Sequence, residues 1–172
     1  MQTTVKVLPA KAKLNAVKVP LQLGKSTKAV AVAQKSFAED RVLSWTTSNK
    51  KIVSVNRKTG KMTAKKLGTA VITVTMNSGA VAKCKVKVQK GMVRTTKVTA
   101  ALKRITLRKG EKFKLAPVVT PVTTSEKLIC RSDNKKVAAV NAKGVIKAKK
   151  KGNVKITLQS GKKKFICKVT VK

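Results

Sequence analysis

The sequence predicts an all-β protein built as two tandem copies of one small antiparallel sandwich. Three observations carry that prediction. First, a segment repeats: SNKKIVSVN, Ser48 to Asn56, returns as DNKKVAAVN, Asp133 to Asn141, eighty-five positions later. Second, the glycines keep the same period. Gly24, Gly60, Gly68 and Gly79 match Gly110, Gly144, Gly152 and Gly161 at offsets of 86, 84, 84 and 82, and Gly91 between the sets has no counterpart. Glycine recurs at fixed places where the backbone needs a positive φ or a close approach, so the two sets mark one fold used twice. A period this long is a whole domain, since solenoid repeats run roughly 20–50 residues. Third, several segments alternate strictly between apolar and polar residues, the mark of half-buried strands.

Taken in order, the first copy offers a short strand at Val53 and Val55 that ends in Asn56. A hairpin loop follows, Arg57-Lys58-Thr59-Gly60, with glycine at the left-handed position. Ala70, Ile72, Val74 and Met76 form the next strand, and Asn77-Ser78-Gly79 its turn. In the closing strand Ala82, Cys84, Val86 and Val88 face one way and Lys83, Lys85 and Lys87 the other. Lys90 to Thr96 is the boundary, short and not rich in Gly or Ser, which leaves the domains limited freedom and divides the chain into 1–90 and 91–172. The second copy repeats the order with Ala138 and Val140, the loop Ala142-Lys143-Gly144, the strand Val154, Ile156 and Leu158, and the turn Ser160-Gly161. Its closing strand puts Phe165, Cys167, Val169 and Val171 on one face and Ile166, Lys168 and Thr170 on the other. No segment carries a helical stripe. Short strands with turn signals every 8–12 residues predict an antiparallel sandwich of about seven strands in each copy.

Composition narrows the function. Aromatic residues make up 2% of the chain, Trp45, Phe37, Phe113 and Phe165, so the cores must be built from aliphatic side chains. Lys and Arg total 42 against five acids, a formal net charge of +37. Such a field attracts polyanions, opposes self-association and favours a monomer. Arginine occurs only at Arg41, Arg57, Arg94, Arg104, Arg108 and Arg131. Lysine is a hydrated point charge, whereas arginine is the fork that recognises phosphate or carboxylate bidentately. The charge therefore reads first as a solubilising face. No run of about 18 apolar residues exists to span a membrane as a helix. The N-terminal MQTTVKVLPAKAK lacks the apolar core of a signal peptide, so the chain reads as part of a longer exported protein.

The chemistry of catalysis is not visible. There is no histidine, the commonest general base and metal ligand. The acids Glu39, Asp40, Glu111, Glu126 and Asp133 show neither the pairing of glycosidase carboxylates nor an Asp-rich calcium loop. Glu39-Asp40, the one adjacent pair, reads as a solvated loop. No catalytic residue, cofactor site or metal site is expected.

The ordered motifs resemble the bacterial immunoglobulin-like group 2 domain of intimin- and invasin-type adhesins. That domain also occurs in surface proteins and carbohydrate-active enzymes of Gram-positive gut bacteria and in some phage tail proteins. The resemblance runs from about Leu14 to Lys172. In the first copy it rests on Trp45, Ser48-Asn49, Ile52 to Val55, Gly60, Met62 to Ala64, Gly68 to Val74 and Cys84 to Val88. In the second it rests on Asn134, Val137 to Val140, Gly144 to Ala148, Gly152, Ile156 to Leu158 and Cys167 to Val171. One departure bears on packing and not on topology: Cys130 stands where the family, and Trp45 in the first copy, place tryptophan. The resemblance implies two Ig-like sandwiches, with Trp45, Val55, Ile72 and Val86 in one core and Cys130, Val140, Ile156 and Val169 in the other.

It also implies an extracellular or cell-surface setting and a spacer or presentation role that contributes to adhesion, or an accessory domain of a glycan-degrading enzyme or phage tail. The candidate binding surface is basic: Lys83, Lys85 and Lys87 on one strand face, the run Lys147, Lys149, Lys150 and Lys151, and the turn Lys162, Lys163 and Lys164. The partners it suits are anionic glycans or cell-wall polymers, with nucleic acid held only non-specifically, because aromatic rings for base stacking are few. For the cysteines two alternatives stand. Cys130 and Cys167 form a bridge, which needs the strand at the Trp position to lie beside the closing strand, or Cys84, Cys130 and Cys167 are all buried thiols.

Overall fold

A computed structural model describes residues 10–28, 30–35 and 38–172; Phe37 lies outside them. The chain divides into two compact units between Met92 and Val93. The first holds β1 (Ala12–Leu14), β2 (Lys18–Gln22), β3 (Ser26–Thr27), β4 (Val32–Lys35), β5 (Val42–Thr47), β6 (Val53–Val55), β7 (Met62–Ala64), β8 (Gly68–Met76) and β9 (Val81–Gln89). The second holds β10 (Lys97–Thr99), β11 (Arg104–Leu107), β12 (Lys112–Lys114), β13 (Val118–Thr120), β14 (Leu128–Ser132), β15 (Ala138–Val140), β16 (Val145–Ala148), β17 (Gly152–Ser160) and β18 (Lys163–Val171). Each unit therefore has nine strands among the described residues, where the sequence predicted about seven. The surplus comes from very short edge strands without an alternating pattern.

The two units share one topology. A four-stranded sheet runs β2-β9-β8-β5 in the first and β11-β18-β17-β14 in the second. Three-stranded sheets β3-β7-β6 and β12-β16-β15 form the other layer, with two-stranded pairs β1-β4 and β10-β13 at the edge. Most pairings are antiparallel, as expected. The exceptions are β2 with β9, from Lys18 beside Lys85 to Gln22 beside Gln89, and β11 with β18, from Arg104 beside Lys168 to Leu107 beside Val171. Both pairs are parallel and join the start of a unit to its closing strand.

Alternation decides which side chains fill the space between the sheets. On β9 Cys84, Val86 and Val88 are buried while Lys83, Lys85 and Lys87 are exposed; on β18 Cys167, Val169 and Val171 are buried while Lys168 and Thr170 are exposed. Ile72, Val74 and Met76 of β8 complete the first core, and Ile156 and Leu158 of β17 the second. Three residues expected in the cores are only half-buried: Val55, Cys130 and Val140. Cys130 and Val140 still pack against the second core.

The repeated motif has a structural cause. Asn49 and Asn134 each turn a side-chain oxygen onto the backbone N–H groups that follow, those of Lys51 and Lys136, at 2.9 and 3.0 Å. Asn56 and Asn141 do the same in the next loop, accepting from Lys58 at 3.1 Å and Lys143 at 3.0 Å. These are Asx turns, which close a loop with a local side-chain hydrogen bond. The glycines behave as matched pairs: φ is 77 and 87° at Gly24 and Gly110, 66 and 75° at Gly60 and Gly144, 140 and 145° at Gly68 and Gly152, and 81 and 54° at Gly79 and Gly161.

Candidate basic surface

The side chains that alternation keeps out of the cores form the outer faces of the sheets, and lysine dominates there. In the first unit Lys83, Lys85 and Lys87 stand on one face of β9, with Lys18 of β2 beside Lys85 in register. Lys18, Lys85 and Lys87 line a shallow groove of about 470 Å³ with Thr69 and Pro20. The second unit has a groove at the corresponding place, of about 570 Å³, lined by Arg104, Lys155 and Lys168 together with Asp133, Asn153 and Thr170. Thr170 donates its hydroxyl proton to Asn153 Oδ1 at 2.8 Å.

The structure does not bring the other predicted lysines to this place. Lys147 stands on β16 in the three-stranded sheet, directly opposite Lys112, in the other layer of the sandwich. Lys149, Lys150 and Lys151 occupy the connection that enters β17, while Lys162 lies in the hairpin that leaves it and Lys163 and Lys164 open β18. Nine residues of β17 separate the two groups, a span of about 30 Å at ~3.3 Å per residue. All these lysines are exposed, but they are three separate patches. Arg104, Lys155 and Lys168 were not singled out by the sequence, because no two of them are neighbours in the chain. The signal that could have found them is the outward phase of β11, β17 and β18.

The acids hold backbone. Asp40 Oδ1 accepts from the Ser78 N–H at 3.3 Å and its Oδ2 from the Ser78 hydroxyl at 2.8 Å. Asp133 Oδ1 accepts from Lys155 N–H at 2.9 Å, and Glu111 Oε2 from Arg108 N–H at 2.8 Å. Glu126 Oε2 accepts from Thr95 N–H at 2.7 Å. That bond, with the Thr95 hydroxyl and the charge of Arg94, holds the Glu126 carboxyl below its usual range, against a smaller opposing effect of burial. Below it, Thr95 Oγ1 meets Ser160 Oγ at 2.7 Å and Thr124 Oγ1 at 3.0 Å. Asp40 corrects the reading of Glu39-Asp40 as a solvated pair: Glu39 is exposed but Asp40 is buried, because its carboxylate closes the β8–β9 hairpin.

The cysteines are all free thiols, and the proposed Cys130–Cys167 bridge is corrected by the sheet order. Cys130 is opposite Leu158 and Cys167 opposite Ile156, so β17 lies between their strands. Two inter-strand steps are about 9.6 Å, beyond the roughly 7 Å that a disulfide can close. Burial pushes the Cys84 thiol up to about 11 and raises Cys130 and Cys167 as well. Among the described residues no cluster of three or more His, Cys, Asp or Glu side chains could hold a metal ion.

Two-layer sandwiches with a parallel pair joining the second and last strands, repeated in one chain, define a tandem Ig-like β protein. The chain belongs to the family of bacterial Ig-like domains (group 2), whose model matches residues 3–86 and 93–171. It is 46% identical over 67 residues to the kappa-carrageenase of Pseudoalteromonas carrageenovora, a stretch of 38% of this chain and 17% of that enzyme. It is 32% identical over 118 residues to an Ig-like virion protein of Serratia phage KSP90, covering 65% of this chain and 46% of that one. The chain thus spans less than half the length of these relatives. Among solved structures, the S-layer protein rSbsC(31-844) is similar over 95% of this chain and 27% of that one, with 16% identity and a TM-score of 0.45.

Proposed function

We propose that this chain is a non-catalytic tandem spacer of an extracellular, cell-surface or virion protein, presenting a neighbouring domain and carrying tension to it. The observation that carries this reading is the parallel pairing of β2 with β9 and of β11 with β18. A pull on the two ends of a unit draws the strands of such a pair in opposite directions along their length. The hydrogen bonds between them are loaded together instead of being opened one at a time. The roles of the acids also support it, since Asp40, Glu111, Glu126 and Asp133 are each committed to a backbone N–H that shapes the fold. The relatives support it in kind: one is named as an enzyme and the other as a virion protein, and in each a segment like this one is a minor part of a longer chain. Contribution to adhesion follows from the same role, by holding a terminal domain away from the surface that bears it.

Single-molecule pulling tests this. Loaded through its termini, the chain is expected to unfold in two events, each lengthening it by about 25 nm at ~3.6 Å per released residue. Handles at Lys66 and Lys90 instead load the antiparallel β8–β9 pair from one end and are expected to open the first unit at a clearly lower force. Equal or lower force through the termini would remove the load-bearing spacer reading.

A further inference from the structure

The outer face of the second four-stranded sheet carries a row that the first lacks. Arg104 and Lys168 are register partners across the parallel pair, and Lys168 and Lys155 across the hairpin. Asp133 ends the row, its N–H donating to the Lys155 carbonyl at 3.1 Å. In the first unit the corresponding row is Lys18, Lys85, Val71 and Ser48. All four residues of the second row are exposed. Among the described residues no hydrogen bond or ion pair engages the Arg104, Lys155 or Lys168 side chains. Like charges directly opposite one another on a sheet destabilise it, so three adjacent unpaired cations cost the fold stability that an anion laid across them would restore. The next row beside them, Thr106, Thr170 and Asn153, is uncharged and rich in hydroxyl and amide groups.

We propose that this groove is a binding site for a sulfated polysaccharide, which goes beyond the spacer role. Three features select that occupant. Adjacent cations stand about 5 Å apart across the sheet, at ~4.8 Å per strand, the scale of neighbouring sugar units. Thr106, Thr170, Asn153 and the Asp133 carboxylate suit sugar hydroxyls, which donate and accept hydrogen bonds; a polyphosphate backbone has no donor with which to offset its repulsion by that carboxylate. The groove has no aromatic residue in its lining, so bases find nothing to stack on. Two of the three cations are lysines, point charges that meet a tetrahedral sulfate from any side, where planar carboxylates favour the arginine fork.

The test uses the whole 172-residue chain at physiological salt and a heparin-derived hexasaccharide as the probe, with polyphosphate and oligogalacturonate of matched charge as comparisons. The triple variant R104Q/K155Q/K168Q is expected to bind the hexasaccharide at least tenfold more weakly, and the variant K135Q/K136Q/K143Q, which removes the same charge elsewhere in the unit, less than threefold. D133N is expected to weaken the hexasaccharide and strengthen polyphosphate. Thermal unfolding of each variant without ligand checks that it is folded, and the hexasaccharide is expected to raise the midpoint of the native chain more than that of R104Q/K155Q/K168Q. Equal losses in the two triple variants, or polyphosphate or oligogalacturonate binding as tightly as the hexasaccharide, would overturn the proposal.

Discussion

Gly60 lies against the Trp45 indole so closely that a β-carbon added to it would stand 2.7 Å from Cε2 and 2.9 Å from Nε1. The loop that begins at Asn56 is thereby laid flat on the one tryptophan of the chain, whose backbone N–H donates to the Arg57 carbonyl at 2.9 Å. The second unit keeps the glycine and changes its neighbour. A β-carbon on Gly144 would meet Pro117 Cδ at 2.8 Å, and Cys130, at the tryptophan position, lies beneath the same loop with its Sγ 3.8 Å from the Ala142 carbonyl. A proline ring takes the place of an indole, with Phe113 and Phe165 packed against the same core.

Gly60→Ala and Gly144→Ala are therefore expected to be among the costliest single changes. At φ of 66 and 75° an L residue is strained by about 1–3 kcal/mol, and the clash with a ring adds to it. Gly24→Ala, at a positive φ with nothing within 4 Å, carries only the backbone strain. Gly91→Ala, outside the positive-φ set and equally open, is expected to fall within about 0.5 kcal/mol of the native chain. Denaturant titration of the four variants checks the order, which fails if Gly91→Ala costs as much as Gly60→Ala.

Cys130→Trp tests how the second core is filled. With Pro117 already against Gly144, an indole at position 130 has no vacant slot and is expected to destabilise the unit by about 1–3 kcal/mol through overpacking. Adding Pro117→Ala is expected to recover part of that loss, a coupling readable as a double-mutant cycle. Strictly additive effects would mean that the ring of Pro117 is not what occupies the tryptophan's place.

Strand phase and turn chemistry were legible because each is written locally. Val86 and Lys85 alternate within one strand, and Gly79 or Asn141 acts on its own loop. What the sequence hid was lateral. The parallel β2–β9 pair joins residues far apart in the chain, and nothing in KVPLQ announces its partner. For the same reason the lysine runs drew attention and the Arg104, Lys168 and Lys155 row did not. Asp40 was misread because its carboxylate is paired with Ser78 across two strands, and the Cys130–Cys167 bridge because sheet order, which places β17 between them, is not a property of either strand.

Thiol labelling separates the cysteines. Three free thiols are expected when the chain is unfolded without reductant. In the folded chain at pH 8, Cys130, half-buried, is expected to react at least tenfold faster than Cys84 or Cys167, which are fully buried. With its thiol pushed up to about 11, Cys84 has very little of the reactive thiolate at that pH. Recovery of a single thiol from the unfolded chain would restore the bridge.

Glu126 gives the second unit an acid-sensitive contact whose direction follows from its partners. Its carboxyl is lowered from 4.5 chiefly by the Thr95 backbone N–H, then by the Thr95 hydroxyl and Arg94. The folded unit thus holds the carboxylate while the unfolded chain takes up the proton more readily. This contribution to stability is complete above the unfolded value and is lost as pH falls through the folded one. Glu126→Gln keeps an acceptor oxygen for Thr95 but cannot titrate. The native chain is expected to be the more stable of the two near pH 6, and the difference to shrink steadily below pH 4.5. The Thr95 amide resonance should titrate with the same midpoint, since its nitrogen lies 2.7 Å from Glu126 Oε2, to which it donates. A stability difference that stays constant from pH 6 to pH 3 would show that the charge of Glu126, as distinct from its hydrogen bond, does nothing to hold Thr95 in place.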